Sequence, residues 1–392
     1  MSVRVEVPDG SLFGPENLPY GVFDPGDRTF RVGVRLGDSV LDLAVLLEDS
    51  VFARPDLNAF LAQGPDRWRE VRERIQRLIT TAIPDAAVHP LSSVRLRLPI
   101  EIGDYVDFYA SIDHATNLGR LLRPNGEPLL PNWRHLPVGY HGRAGTVVVS
   151  GTDITRPCGQ RRTPSGAPDF GPSQRLDIEA ELGFVVGRGS RPGGPIPIDE
   201  CADRIFGVAL VNDWSARDIQ TWEYQPLGPF LGKSFATSMA AWITPMAALD
   251  AARIPLPPQR PEPLPYLRER EPWGLDMELA VRWNGTVVSR PPYGRMYWSP
   301  AQMLAHMTAN GASVRPGDLF ASGTISGSER DQLGSFMELS WGGSEPIDVG
   351  GSPRTFLVDG DLVELTATAP GPGGSRIGLG EVSGLILPAQ IS

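Results

Sequence analysis

Two glutamates one residue apart are the first side chains that could do chemistry. In LDIEAELGFVV (176–186), Ile178, Ala180, Leu182 and Phe184 alternate with Asp177, Glu179 and Glu181, which is the period of a β-strand. On such a strand Glu179 and Glu181 share a face roughly 7 Å apart, so that face meets either water or a cation. Asp177 has the same parity and is expected at the rim. A second segment is NDWSARDIQTWEYQPLGPFLGKSF. A helix begun near Asn212 or Asp213 and ended by Pro226 would align Asp213, Arg217, Gln220 and Tyr224 as one polar stripe, with Lys233 in a turn beyond it. The alternative is a solvated face with an Asp–Arg pair. The third segment is DYVDFYASIDHATNLGRLL. A helix begun around Asp107 would bring His114 two turns on, so that both could serve one pocket, against the alternative of a structural histidine. The chain has only five histidines, and His135 and His141, in the Gly/Pro-rich WRHLPVGYHGRAG, read as structural.

Asp107, Glu179, Glu181 and Asp213 are therefore candidate metal ligands. An all-oxygen set suits a hard cation, Ca²⁺ or Mg²⁺, and excludes metals that require soft ligands. Four carboxylates around one divalent ion leave excess negative charge, and Arg217 and Lys233 are the nearest suppliers of the opposite sign.

These residues need a scaffold, and the rest of the chain indicates its kind. A length of 392 residues allows a small and a large domain. Residues 1–98 read as the small unit. RTFRVGVRLGDSVLDL alternates about Gly37-Asp38 as a hairpin, and DRWREVRERIQRLIT places Trp68, Val71, Ile75, Leu78 and Ile79 at helical spacing behind Asp66 as cap. From residue 99 strands and turns dominate. Asn284-Gly285 and Asp359-Gly360 are read as hairpin turns, and the proline-dense 254–267 as an extended ordered loop.

The net charge of −10 argues against nucleic acid or an anionic membrane as partner. Two cysteines make neither a disulfide framework nor a zinc site. No signal-peptide core and no run of 18 apolar residues is present, so a cytoplasmic protein is expected.

At these segments the sequence resembles the fumarylacetoacetase family. DFYASIDHATN, PNWRHLPVGYHGRA, LDIEAELGFVVG, NDWSARDIQTWEYQPLGPFLGKSF and ASGTISG followed by ELSW occur in the family's order, and FGPENLPYGVF (13–23) is the clearest N-terminal match. The resemblance implies a mainly β protein with some α: a small SH3-like N-terminal domain (1–98), then a large mixed β-roll catalytic domain (99–392), assembled as a homodimer. It implies metal-dependent hydrolysis of fumarylacetoacetate, a diketo dicarboxylic acid, to fumarate and acetoacetate, the last step of tyrosine and phenylalanine breakdown.

Residue by residue, the resemblance makes Asp107, Glu179, Glu181 and Asp213 the ligands of a catalytic Ca²⁺, or of Mg²⁺ or Mn²⁺. His114 becomes the base, Glu338 its orienting carboxylate, and Lys233, Arg217 and Gln220 polar donors. Tyr109, Arg123, Tyr140, Tyr224 and Thr324 become substrate contacts. A second Mg²⁺ or monovalent cation is implied near Asp213, Lys233 and Thr237. Without the resemblance, Glu338 reads as a solvent-facing strand residue opposite Met337, Leu339 and Trp341. One departure is Ile112-Asp113 before His114, where animal members carry basic and amide residues. If Asp113 points inward it would raise the pKa of the base. The competing expectations are a hydrolase or decarboxylase of another acylpyruvate or 1,3-dicarbonyl acid, and a non-catalytic Ca²⁺-binding protein on the same fold.

Overall fold

The computed structural model describes residues 1–163 and 165–390. Its alternating N-terminal segments become the antiparallel strands Tyr20–Asp24, Arg31–Leu36 and Ser39–Asp42, the last two joined at Gly37-Asp38 as expected. The amphipathic stretch becomes the helix Pro65–Leu78, with Val71 and Ile75 buried and Trp68 edge-on to Phe206. It starts earlier than expected. Gly64 occupies the cap position and Pro65 the first turn, where proline's fixed φ and missing N–H carry no cost, so Asp66 lies inside the helix.

These N-terminal strands do not close on themselves. Tyr20–Asp24 pairs antiparallel with Trp242–Pro245, which makes one sheet of 13 strands among the described residues. Its path runs from Val88–Pro90 through Ser39–Asp42, Arg31–Leu36, Tyr20–Asp24, Trp242–Pro245, Ile205–Asp213, Ala180–Val186, Leu319–Ala321 and Tyr105–Phe108 to Gly139–His141. Ala180–Val186 and Ile205–Asp213 are buried along their whole length, so both faces of the central strands are covered, as their dense apolar content requires.

A second sheet is built on Leu362–Pro370, flanked by Glu278–Trp283 and Val382–Leu387. Here burial alternates strictly, with Val363, Leu365, Ala367 and Ala369 inward. Those side chains join the apolar core that continues under the first sheet. Asn284 and Gly285, both at positive φ, make the expected hairpin between Glu278–Trp283 and Thr286–Ser289. Asp359-Gly360 does not. Leu357 bridges to Leu176 and the Gly360 N–H donates to the Ile386 carbonyl, so this turn leads the chain into Leu362–Pro370 without joining two paired strands. Residues 254–264 hold no helix, with Gln259 hydrogen-bonded to Gln302, but the expected extended loop ends in a 3-10 turn at Pro265–Leu267.

Gly323 follows the strand Leu319–Ala321 with φ +74°, and a Cβ there would lie 2.1 Å from the Phe108 carbonyl oxygen. Close backbone approach and a left-handed conformation are both required at one position. Gly323→Ala is expected to cost on the order of 3 kcal/mol, read as a fall in the denaturation midpoint. An unchanged midpoint would show that the backbone there relaxes freely. Among the described residues no helix is long and apolar enough to cross a membrane.

Candidate active site

The four carboxylates converge. Asp107, Glu179, Glu181 and Asp213 are buried, each offering a ligand oxygen within 4.8 Å of the others'. The elements that deliver them differ from the expected ones in three ways. Asp107 lies on the strand Tyr105–Phe108, paired on one side with Leu319–Ala321 and on the other with Gly139–His141. The helix that carries His114 starts only at Ile112, capped by Ser111, so Asp107 and His114 sit on a strand and on the helix after it rather than along one helix.

Asp213 is the last residue of the strand Ile205–Asp213, held by pairing to Thr237. Ser215-Ala216 then pairs with Leu176-Asp177, which delays the helix to Arg217–Glu223. No single polar stripe forms. Finally, the expected continuous strand breaks at Ile178-Glu179, where Asn212 Oδ1 accepts the Glu179 N–H at 3.2 Å and the Glu179 carbonyl accepts from Asp213 at 3.1 Å. Asp177 is fully buried and is not at a rim.

The charges are unevenly matched. The Lys233 ammonium donates to Glu179 at 2.7 Å and to Asp213 at 2.5 Å, and Arg217 Nη1 lies 2.6 Å from Glu179. Burial works to raise the Glu179 pKa, yet Lys233, Arg217 and His114 together hold it well below the ordinary range. Burial opposes charge on Lys233 as well, but Asp213, Glu179 and Asp107 more than offset it and push its pKa up. For Glu181 and Asp107 the pull of Lys233 is too weak to offset the rest. Burial first, and neighbouring carboxylates next, push both well above the ordinary carboxylate value.

Both Glu181 oxygens and Asp107 Oδ1 are buried without a hydrogen-bond partner. Unpaired buried carboxylate oxygens are costly unless something positive faces them. An all-oxygen donor set with orphaned atoms fits a hard divalent cation.

Beside this cluster His114 Nδ1 lies 2.7 Å from Glu338 Oε2. Glu338 is not a strand residue. It sits buried in the short helix Phe336–Leu339, capped by Ser335. Burial alone would raise its pKa, but His114, Asn117 and Ser335 outweigh that and lower it. Ser335 and Ser326 donate to Oε2 at 2.9 and 3.0 Å and Asn117 to Oε1 at 3.0 Å. The Nδ1–H to carboxylate bond leaves Nε2 as the basic nitrogen. Tyr109 stands edge-on to the imidazole, ring centres 5.3 Å apart. The Asp113 carboxylate turns to Arg295, 3.2 Å away.

The remaining expected residues divide. Gln220 Oε1 accepts from Arg217 Nη1 at 3.1 Å. Tyr140 donates to Asp213 Oδ2 at 3.1 Å and Thr237 to Asp213 Oδ1 at 2.9 Å. Tyr140, Asp213 and Thr237, with Lys233 and Tyr105, line a cavity of about 170 Å³. Arg123 ends the His114 helix, its Nη2 donating to Pro128 and its Nε buried without a partner. Thr324 Oγ1 is likewise buried and unpaired. Tyr224 is half-buried and accepts from Gln225. His135 and His141 are exposed and take no buried structural role.

Val106 and Phe108, pointing away from Asp107 on the same strand, line a separate cavity of about 400 Å³ that holds none of the four carboxylates. Sequence reasoning passed over Asn117, Ser326 and Ser335 around Glu338. Only Asn117 carried a signal, three residues from His114 on one helix.

The fold is that of the fumarylacetoacetate hydrolase type. A fumarylacetoacetate hydrolase from Exiguobacterium antarcticum superposes with a TM-score of 0.59 at 17% identity, covering 95% of this chain and 100% of that one. A maleylpyruvate hydrolase from Sphingobium sp. SYK-6 gives 0.55 at 16% identity, covering 95% of this chain and 100% of that one. Sequence relatives are much nearer. The fumarylacetoacetases of Rattus norvegicus and Arabidopsis thaliana are 46% and 43% identical, each match covering 98% of both chains. Residues 16–99 match the family described as fumarylacetoacetase N-terminal, and residues 105–383 the one described as fumarylacetoacetate (FAA) hydrolase C-terminal. The chain belongs to the fumarylacetoacetase family.

Proposed function

We propose that the protein hydrolyses the carbon–carbon bond of fumarylacetoacetate to give fumarate and acetoacetate. The observation that carries this reading is the juxtaposition of four buried carboxylates with the His114–Glu338 pair. Family membership over nearly the whole chain supports it. A divalent ion held by Asp107, Glu179, Glu181 and Asp213 would supply Lewis acidity toward the diketone oxygens and the departing enolate. Ca²⁺, Mg²⁺ and Mn²⁺ all suit the oxygen set.

The chain's own residues do the rest. His114 Nε2 takes a proton from water as the oxygen adds to the carbonyl, while Glu338 holds the Nδ1 proton and steadies the imidazolium. The adduct carries an oxyanion. Lys233 has three N–H donors, of which Glu179 and Asp213 occupy two, and Arg217 Nη2 is buried without a partner. These free donors, with Gln220, meet the oxyanion. Collapse breaks the carbon–carbon bond, the electron pair leaves on acetoacetate as its enolate, and the proton held by the His114 imidazolium completes that product and returns the base to its neutral form.

Tyr109, Arg123, Tyr140, Tyr224 and Thr324 hold the ends of the substrate, and the unpaired Arg123 Nε and Thr324 Oγ1 are suited to anionic oxygens. A second cation near Asp213, Lys233 and Thr237, a domain boundary near residue 99, a homodimer and a cytoplasmic setting complete the proposal.

Chelator treatment is expected to abolish release of fumarate and acetoacetate, and Ca²⁺, Mg²⁺ or Mn²⁺ to restore it. Folded protein that no cation restores would overturn the assignment, and turnover of shorter acylpyruvates instead would redirect it.

A further inference from the structure

Asp177 lies two residues before Glu179, yet its carboxylate is not one of the four that converge. It is fully buried and accepts four hydrogen bonds. Oδ1 accepts from the backbone N–H groups of Ile178 and Phe336, both at 2.7 Å. Oδ2 accepts from Arg217 Nε at 2.8 Å and from the Met337 N–H at 3.0 Å.

These donors belong to two different parts of the site. Phe336 and Met337 begin the four-residue helix that carries Glu338, so their amides set where the partner of His114 stands. Arg217 is gripped at Nε by Asp177 and at Nη1 by Glu179 and Gln220. A planar guanidinium held at two nitrogens has its third direction fixed, and that third nitrogen, Nη2, is the one left buried and free.

We propose that Asp177 is a positioning residue for the cleavage, one carboxylate that locks the Arg217 donor and the Glu338–His114 pair in a common register. The inference rests on the hydrolase reading above. A group so placed adds nothing to the chemistry directly. It acts through the distance between the donor for the oxyanion and the base that activates water, where an error near 1 Å costs roughly 100-fold in rate.

Asp177→Asn removes the charge and turns an NH₂ toward groups that all donate. In folded, Ca²⁺-loaded variant, kcat is expected to fall about 100-fold, with KM and Ca²⁺ affinity by calorimetry near wild type. A wild-type kcat, or a loss matched by the unfolded fraction or by lost Ca²⁺ affinity, would overturn the proposal, because the residue would then be idle or merely structural. A second signal is independent of substrate. The His114 Nδ1 proton, identified by its absence in His114→Ala, is expected as a downfield resonance that shifts or broadens in Asp177→Asn. If the wild type does not cleave fumarylacetoacetate, the functional reading fails, and this resonance still decides the inference: an unaltered signal sinks it. Should Asp177→Asn not fold, Asp177→Glu keeps the charge but displaces it by one methylene. It is expected to retain Ca²⁺ affinity with kcat lowered at least about tenfold, and a wild-type kcat there would count against the proposal equally.

Discussion

His114→Asn is expected to lower kcat by about 100- to 10,000-fold, the range typical of a lost general base, while Ca²⁺ affinity stays as in the wild type. The separation follows from the geometry. His114 Nδ1 is committed to Glu338 and no histidine is among the four clustered carboxylates. An asparagine amide can still donate to Glu338, so the hydrogen bonds from Ser326, Ser335 and Asn117 keep their acceptor. What is lost is the basic nitrogen. Stopped-assay kinetics beside calorimetric Ca²⁺ titration would measure both, and a variant that retains its kcat would remove His114 from the mechanism.

Glu181→Gln should act in opposite directions on metal binding and on the stability of the metal-free protein. Both Glu181 oxygens are buried without partners, and Asp107, Glu179 and Asp213 repel the charge. Neutralising it relieves the metal-free fold by on the order of 1–3 kcal/mol. The same change removes a charged ligand, and cation affinity should fall by about 100-fold or more, beyond the effect usual for an outer-shell residue.

The pH dependence follows from the sign of the shift. The folded-state pKa of Glu181 is raised, so above about 4.3, where the unfolded group ionises, the folded protein binds the extra proton. Stability from this group is therefore lost as pH rises toward the raised value. The chelated Gln variant should out-melt the chelated wild type by more at about pH 8 than at about pH 5. Ca²⁺ should reverse the order. Equal melting of the two chelated proteins at both pH values would mean that Glu181 already has a partner.

Much of the site was legible because chemistry leaves residue types behind. Glu179 and Glu181 at alternate positions, with Asp107, Asp213, Lys233 and Arg217 in other segments, make an oxygen-ligand site for a hard cation one of the readings open before any fold is known, beside a solvated face. Glu338 was legible only through family resemblance. Its neighbours Phe336, Met337 and Leu339 give no period that separates a strand from one turn of helix, and the structure makes it a helix because Ser335 caps the Glu338 N–H. Asp213 was misplaced for a related reason. Helical spacing of Asp213, Arg217 and Gln220 is real, but pairing of Asp213 with Thr237 and of Ser215-Ala216 with Leu176-Asp177 outcompetes local helix propensity.

The sequence by itself determined the local elements whose signals lie within a few residues: the Asn284-Gly285 hairpin, the amphipathic helix, and the kinds of side chain available for chemistry. Tertiary structure alone decided which of them meet. It joined the N-terminal strands to the main sheet through Tyr20 and Ile243, turned Asp113 to Arg295, and brought Asp177 from an expected rim to the junction of Arg217 and the Glu338 helix. The physical reason is range. Turn geometry and amphipathic period act between near neighbours, whereas the charge balance of a buried carboxylate is set by donors from 1 to 160 residues away in the chain, which only the folded packing brings within hydrogen-bonding distance.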